Sequence, residues 1–276
     1  MLAAALAAAL VCADAPAAKP APAQPQAAQA PWQELEPGLE LALLDGPPAS
    51  AGDGKIAVVR IDPARFELRL LAASAPGEGS LRTARDWAYH AGASAVINAS
   101  MYQEDYRTSV SLMRSRGHVN QRRLSKDKAV LAFDPTVSGV APVRIVDREC
   151  ENLDEASARY GTLVQSIRMV SCDRRNVWAP SGRGFSAAAI GIDRRGRVLF
   201  IHARTPWPVH ELVKALLALP IDLAQAMYVE GGPEAQMFAR GGGREVERVG
   251  SFEGAVASAN GRAWPVPNVI AAVRRK

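Results

Sequence analysis

The chain has 276 residues, 48% of them hydrophobic and 22% charged, which is ordinary for a globular protein and enough to bury one sizeable core. Its formal net charge is +5, but the arginines are scattered and do not gather on one helix with interleaved aromatic residues, which argues against a nucleic-acid groove. An attraction to small anionic substrates remains open, and many of the arginines stand as turn pairs at residues 122–123, 174–175, 194–195 and 274–275.

The start of the chain has the composition of an export signal. Residues 1–17 are rich in Ala, Leu and Val, too short for a membrane span, and followed at once by a Pro/Ala/Gln tract at residues 18–31. We predict a signal peptide that lacks the usual basic start, an extended tether, and a globular domain at residues 32–276. Lipid attachment at Cys12 is conceivable, although Val11 stands where a small residue is usual.

Once the signal segment is set aside, Cys150 and Cys172 are the cysteines that remain. Two cysteines in an exported chain predict one disulfide, whereas two free buried thiols are the alternative. An exported protein, in the periplasm, in the cell envelope or secreted, is therefore expected.

Alternating apolar and polar residues, together with short apolar runs bounded by turn residues, predict a series of strands. Turn sequences at residues 62–65 and 193–196 indicate two hairpins, of which the second is the clearer. In chain order, the predicted strands are residues 55–61, 66–71, 95–98, 128–133, 143–147, 163–171, 186–192, 197–203, 227–229 and 267–273.

Helical spacing of apolar residues predicts helices at residues 81–91 and 208–219, and a shorter one at residues 151–159. Gly92 is placed to end the first, and Pro208 suits the first turn of the last. Because hairpins outnumber βαβ units, the predicted fold class is α+β, a single domain with a largely antiparallel sheet and two or three packed helices.

The strand at residues 227–229 runs into Glu230, Gly231, Gly232 and Pro233. The glycines allow close approach of a ligand or a backbone segment, and the proline stops further strand pairing. A half-desolvated Glu230 at such a rim is well placed for chemistry. The same residues also fit an ordinary turn with a solvated glutamate.

Asn98 and Ser100 follow the apolar strand at residues 95–98 in the same way. Their amide and hydroxyl groups can bind a sugar hydroxyl or a phosphate oxygen, and they can equally satisfy backbone groups of the loop.

Several of these stretches, in this order, resemble the phosphodiester glycosidase domain, and the resemblance extends from about residue 55 to residue 273. No single motif is specific, but their order and spacing together are. The stretches are residues 96–102, 165–166, 189–193 with Gly196, 226–232 and 266–268.

The resemblance implies hydrolysis of a sugar-1-phosphodiester, which releases the sugar and leaves a phosphomonoester. Glu230 stands where the family usually has aspartate, Pro233 where a small hydroxyl residue is frequent, and Ala187 where an arginine is common. The site positions implied for this chain are Asn98, Asp193, Glu230, Gly231 and Gly232.

Enzymes that cleave a glycosidic bond usually use carboxyl groups. When the leaving group is a phosphate, its negative charge is neutralised by cations or hydrogen-bond donors. We assign Glu230 as nucleophile or general base and Asp193 or Glu234 as a second carboxylate. Arg168 or Arg183 is assigned as the phosphate clamp that replaces the missing arginine.

Four alternatives stay open. Asp193 also suits the first turn position of its hairpin, and His202 is a second candidate acid or base that also suits a structural role. The chain as a whole also fits a non-catalytic module of the cell envelope that binds a glycan, and it fits an envelope protein without a small ligand. No cofactor is identified, and no zinc-ligand spacing links His90, His118, His202 and His210.

Overall fold

The computed structural model describes residues 31–49, 52–251 and 262–276. The predicted signal peptide at residues 1–17, Cys12 and nearly all of the tether at residues 18–31 lie outside the described residues. Within the described residues there are sixteen strands and three α-helices. The strands are β1 (Gln33–Glu36), β2 (Leu39–Asp45), β3 (Lys55–Ile61), β4 (Phe66–Ala72), β5 (Ala95–Asn98), β6 (Met113–Arg114), β7 (Val119–Gln121), β8 (Ala129–Pro135), β9 (Val143–Asp147), β10 (Tyr160–Val170), β11 (Ala187–Asp193), β12 (Val198–Ala203), β13 (Leu223–Gly231), β14 (Gln236–Gly241), β15 (Arg244–Val249) and β16 (Asn268–Arg274); the helices are α1 (Ala84–Ala91), α2 (Leu153–Ser157) and α3 (Val209–Ala218).

These strands form two sheets. The larger has eleven strands in the order β1-β2-β3-β12-β11-β13-β10-β6-β7, with β8 also paired to β10 and β9 paired to β8. The smaller has five strands in the order β15-β14-β5-β16-β4. The strand pairs within both sheets are antiparallel, as the number of hairpin-like connections in the sequence predicts.

The main core lies between the two sheets. In β3, Ala57 and Val59 join a cluster with Ile97 of β5 and Ile270 of β16, while the alternate side chains of β3 point to the opposite face of the large sheet. Because successive side chains of a strand point to opposite faces of the sheet, a strand with a nearly continuous run of apolar residues contributes to the cores on both faces. The two sheets therefore stack face to face around a shared apolar layer.

The helices cover the outer faces. In α1, Thr83 accepts a hydrogen bond from the Asp86 N–H at the start, and Gly92, with φ +64°, ends the helix as predicted. Its Trp87 packs on the outer face of the small sheet with Val96 and Phe238. The apolar stripe of α3 packs in the same way on the large sheet.

The predicted fold class is confirmed in its coarse form: mostly antiparallel strands, few helices, one domain. One predicted hairpin is wrong. β3 and β4 do form where expected, but β3 pairs with β2 and β12, and β4 pairs with β16 in the other sheet. Because β3 has a neighbour on each side, it offers no free edge to β4, and the turn at residues 62–65 carries the chain from one sheet to the other.

The predicted disulfide between Cys150 and Cys172 is confirmed, with 6.6 Å between the two Cα atoms. It connects the end of β9 with the end of β10. In the chain-entropy picture, closing a loop of this length stabilises the fold by about 3 kcal/mol. Within the ranges that the structure describes, no helix is long and apolar enough to cross a membrane.

Candidate functional site

Glu230 lies near the end of β13, in the middle of the large sheet. Across β11 and β13, Ala188 is opposite Glu230 while Ala189 is opposite Tyr228, so Val229 is an extra residue and the register shifts there. A bulge of this kind re-aims the side chains beside it and is frequent at functional sites. It sets the direction of the Glu230 side chain independently of the alternation along the rest of the strand.

The two glycines after Glu230 are required by the structure. A Cβ on Gly231 would lie 1.8 Å from the Tyr228 hydroxyl oxygen, so a side chain at this position would displace that tyrosine. Gly232 has φ +62°, a conformation that favours glycine, and it begins a 3-10 turn, Gly232–Glu234. The turn brings the carboxyl group of Glu234 to the same end of β13.

A hollow of about 360 Å³ opens at this strand end. Two of its lining side chains, Phe185 and Tyr228, are aromatic, and the ring of Trp178 lies 5.3 Å from that of Tyr228, centroid to centroid. Planar apolar rings beside carboxyl groups suit the binding of a sugar, whose ring has an apolar face and polar edges. The hollow is lined by Phe185, Tyr228, Glu230, Gly231, Gly232 and Pro233.

The acid groups here influence one another. The pKa of Glu230 is raised to about 8, mainly by burial and in smaller part by the negative charge of Glu234, while the hydrogen bond from the Gly231 N–H, 3.0 Å from Oε1, acts in the opposite direction. Burial and the same two carboxyl groups also raise the pKa of Tyr102 and of Tyr228. Near pH 7, Glu230 is therefore mainly a protonated carboxylic acid, which can donate a proton.

Asn98 holds the turn that carries Glu234. Its Oδ1 accepts a hydrogen bond from the Gln236 N–H (2.7 Å), and its Nδ2 donates to the Glu234 carbonyl (3.0 Å). The end of β5 therefore contacts the segment between β13 and β14. The side chain of Asn98 is buried, so these contacts favour a positioning role for it over direct contact with a substrate.

Replacement of Asn98 by alanine should destabilise the protein. It leaves the buried Gln236 N–H and the Glu234 carbonyl without their partners, and an unsatisfied buried group of this kind costs about 2 kcal/mol. A urea unfolding curve would then show a lower midpoint with an unchanged slope. Asn98→Asp is the matched variant because it keeps the acceptor for Gln236; a midpoint that is unchanged in Asn98→Ala would contradict the assigned role.

Ser100 is also buried and fully engaged. Its hydroxyl donates to the Gln165 carbonyl (3.0 Å), and its backbone N–H donates to Oδ1 of Asn268 (3.1 Å). Ser100 was expected either to bind a sugar or phosphate oxygen or to satisfy backbone groups of the loop. These contacts favour the second role.

The two arginines proposed as phosphate clamps lie in different surroundings. The guanidinium of Arg168 donates to both carboxylate oxygens of Asp147 (2.7 and 2.9 Å), beside the disulfide. Arg183 is exposed, and its guanidinium carbon lies 5.4 Å from the ring centroid of Phe185, which lines the hollow. Arg183 is therefore the one of the two that lies next to a residue lining the hollow.

Ala187 is directly opposite Gly231 in the sheet. An arginine at this position would start beside the hollow, so this chain lacks a guanidinium where the resemblance leads one to expect it.

Asp193 is not brought to Glu230. It lies at the far end of β11, five residues beyond Ala188, which is roughly 17 Å at the rise of an antiparallel strand. Its carboxylate accepts hydrogen bonds from the backbone of Arg195 and Arg197 and pairs with the Arg197 guanidinium (2.6 Å). These contacts favour the hairpin-turn role, and we leave Asp193 out of the site proposed below.

His202 lies in the same cross-strand row as Glu230, with Ala188 between them. It is completely buried, and burial lowers its pKa to about 3, with the positive charge of Arg248 acting in the same direction. Its Nε2 is 3.1 Å from the Ala235 carbonyl, at the end of the turn that carries Glu234. A neutral imidazole that holds this turn fits a structural role better than that of an exchanging acid or base.

Sequence reasoning missed the aromatic part of the site. Tyr102 and Tyr228 both lie in stretches that carry the family resemblance, yet only their polar neighbours were assigned roles. Among the described residues, one group of potential metal ligands occurs, Asp147 with Cys150 and Cys172, but its cysteines form the disulfide and its carboxylate pairs with Arg168.

Fold and site together define a class: an α+β protein of two stacked antiparallel sheets with a carboxyl-lined hollow at a strand end. The model of the phosphodiester glycosidase family matches residues 91–273, which is more than half of the chain. The chain belongs to the phosphodiester glycosidase family, as the sequence resemblance indicates.

Solved structures with the same fold are distant in sequence. The catalytic domain of zebrafish N-acetylglucosamine-1-phosphodiester alpha-N-acetylglucosaminidase, auto-inhibited by pro-peptide, matches with a TM-score of 0.65 at 13% identity, over 91% of this chain and 87% of that one. A hypothetical protein from Synechocystis matches with a TM-score of 0.57 at 13% identity, over 87% of this chain and 62% of that one. No curated protein sequence matches the chain.

Proposed function

We propose that the protein is a hydrolase that cleaves a sugar-1-phosphodiester in an exported glycan or phosphoglycan. The observation that carries the proposal is the buried Glu230, whose pKa is raised to about 8 in an aromatic hollow beside a second carboxyl group. Membership of the phosphodiester glycosidase family supports the reaction class. The disulfide supports export, because such bonds persist in oxidising compartments.

In this reaction the bond between the anomeric carbon and the phosphate oxygen breaks. The electron pair leaves with the phosphate oxygen, and Glu230 donates its proton to that oxygen as the bond breaks. A water molecule attacks the anomeric carbon and loses a proton, for which Glu234 is the candidate acceptor. The products are the free sugar and a phosphomonoester.

This assignment changes the role that the sequence suggested for Glu230. A carboxyl group that is protonated near pH 7 is a better proton donor than a nucleophile or base. Arg183 is the candidate to neutralise the phosphate, since Arg168 is occupied by Asp147. Gly231 and Gly232 contribute by letting the substrate approach the backbone closely.

A second function is favoured by a specific observation. Because Ala187 leaves the position opposite Gly231 without a guanidinium, the hollow also suits the retention of a glycan without catalysis. In that case Glu230 would hydrogen-bond a sugar hydroxyl, and Asn98 would still hold the turn.

The two functions are separated by assaying the purified protein on a methyl N-acetylglucosamine-1-phosphodiester. That sugar is chosen because the zebrafish protein is named for it. We expect release of N-acetylglucosamine with one equivalent of methyl phosphate, and no release from methyl N-acetylglucosaminide, which lacks the phosphate. Binding of the diester without hydrolysis would contradict the proposal that the protein is an enzyme and would support the proposal that it is a glycan-binding module.

A further inference from the structure

A loop with unpaired positive charge lies between β7 and β8. We call residues 122–127 the basic loop; it carries Arg122, Arg123 and Lys126, and all three side chains are exposed. Arginines in several other parts of the fold pair with carboxylates, for example Arg116 with Asp134. In the ranges that the structure describes, no carboxylate lies within ion-pair distance of the three cations of the basic loop.

Side chains of Gln165 and Arg148 hold the backbone of the basic loop by hydrogen bonds. Nε2 of Gln165, a buried residue of β10, donates to the carbonyls of Ser125 (3.2 Å) and Asp127 (2.7 Å), while its Oε1 accepts from the Ser125 N–H (3.0 Å). The guanidinium of Arg148 donates to the same two carbonyls. Because its backbone is held at Ser125 and Asp127, this part of the loop loses little backbone conformational freedom when the loop binds an anion, which favours preorganised binding.

Two chains of contacts connect the basic loop with the candidate site. The first runs through Gln165, whose carbonyl accepts from the hydroxyl of Ser100, two residues before Tyr102. The second runs through Ser109, which bridges to Tyr102 and whose carbonyl accepts from Gln121. The side chain of Gln121 then accepts from the backbone N–H of Arg123 (3.0 Å).

An exposed aromatic ring extends the site on the Tyr102 side. Tyr106 is 54% exposed, and its ring lies 5.7 Å from that of Tyr102, whose pKa is raised in part by the Glu230 and Glu234 carboxyl groups. A residue other than glycine with φ +53° is unusual, and it presents this large ring to solvent. Beyond the hollow there is therefore an aromatic platform and, connected with it, a set of unpaired cations.

We propose that the basic loop and Tyr106 bind a further repeat of a phosphodiester-linked glycan chain. This inference rests on the proposed function, and it specifies the substrate class as a polymer of sugar-phosphate repeats. A sugar ring stacks on Tyr106, and guanidinium and ammonium groups of the basic loop bind the phosphate of the neighbouring repeat. The same loop supplies positive charge to the substrate, which Ala187 does not provide.

The test compares an oligomer of N-acetylglucosamine-1-phosphate with the methyl diester as substrates. In the variant R122A/R123A/K126A we expect the ratio of kcat/KM for the oligomer to kcat/KM for the methyl diester to fall about 20-fold, mainly through KM of the oligomer. The dependence of the oligomer KM on salt should weaken, because fewer counterions are exchanged. The control R159A/R195A/K276A removes the same charge from exposed positions elsewhere and should leave the ratio unchanged.

An unchanged ratio in the basic-loop variant, or an equal fall in the control, would overturn the proposal. If the wild type cleaves neither substrate, the proposed function fails, and calorimetric binding of the oligomer to the wild-type and basic-loop proteins still decides the inference. Equal affinity for a single-stranded oligonucleotide with the same number of phosphates would also overturn it, because the loop would then recognise charge alone. Circular dichroism of both variants shows that they are folded.

Discussion

Replacement of Glu230 by glutamine is expected to lower kcat for a sugar-1-phosphodiester about 10³-fold, the usual contribution of a positioned acid. Glutamine keeps the size of the side chain and can still accept from the Gly231 N–H, but it has no proton to donate to the leaving oxygen. Because the sugar contacts remain, KM should change little. The measurement is release of N-acetylglucosamine from the methyl diester under single-turnover conditions.

Glu155→Gln is the control for this variant. Glu155 is an exposed glutamate on α2, so the substitution removes a carboxyl group without touching the hollow, and activity should be retained. The wild-type rate should also fall as pH rises through about 8, because Glu230 then loses its proton. A Glu230→Gln protein that keeps a tenth or more of the wild-type kcat would exclude Glu230 as the acid.

The local elements were predictable because their signals are local. The capped helix ending at Gly92, the hairpin at residues 193–196 and the strand that ends at Glu230 all follow from turn residues and from the spacing of apolar residues. The contact between the end of β5 and the turn after β13 involves residues far apart in the sequence. It is achieved by the hydrogen bonds of the Asn98 amide to the Glu234 carbonyl and the Gln236 N–H.

The features of the fold and site that could not be predicted depend on which strands and side chains pair with each other. The alternation of apolar and polar residues along the sequence does not determine these pairs. The sequence of β4 fits a hairpin with β3 as well as it fits the edge of a second sheet, and only the full set of partners decides between them. In the same way, the sequence does not show that Arg168 pairs with the carboxylate of Asp147, 21 residues earlier. The bulge at Val229, which sets the direction of the Glu230 side chain, cannot be recognised from the pattern of apolar residues in the sequence.

The same Glu230→Gln variant should be more stable than the wild type at high pH. The pKa of Glu230 is about 8 in the folded protein, against an ordinary value of 4.5 for a solvated glutamate. Between these values the folded protein holds a proton that the unfolded chain releases, so the free energy of unfolding of the wild type falls as pH rises through this window. Glutamine does not titrate, and the variant avoids this loss.

The stability gain of Glu230→Gln should therefore be small at pH 5 and about 5 kcal/mol at pH 9, because the pKa values of about 8 and 4.5 differ by roughly 3.5 units and each unit corresponds to about 1.4 kcal/mol. Urea unfolding of both proteins at the two pH values measures the difference, and Glu155→Gln should show none. A gain that is equal at pH 5 and pH 9 would mean that the carboxyl group is not held protonated by the fold. A carboxyl group that the fold holds protonated, at a cost in stability at high pH, fits the proposed role of Glu230 as a proton donor.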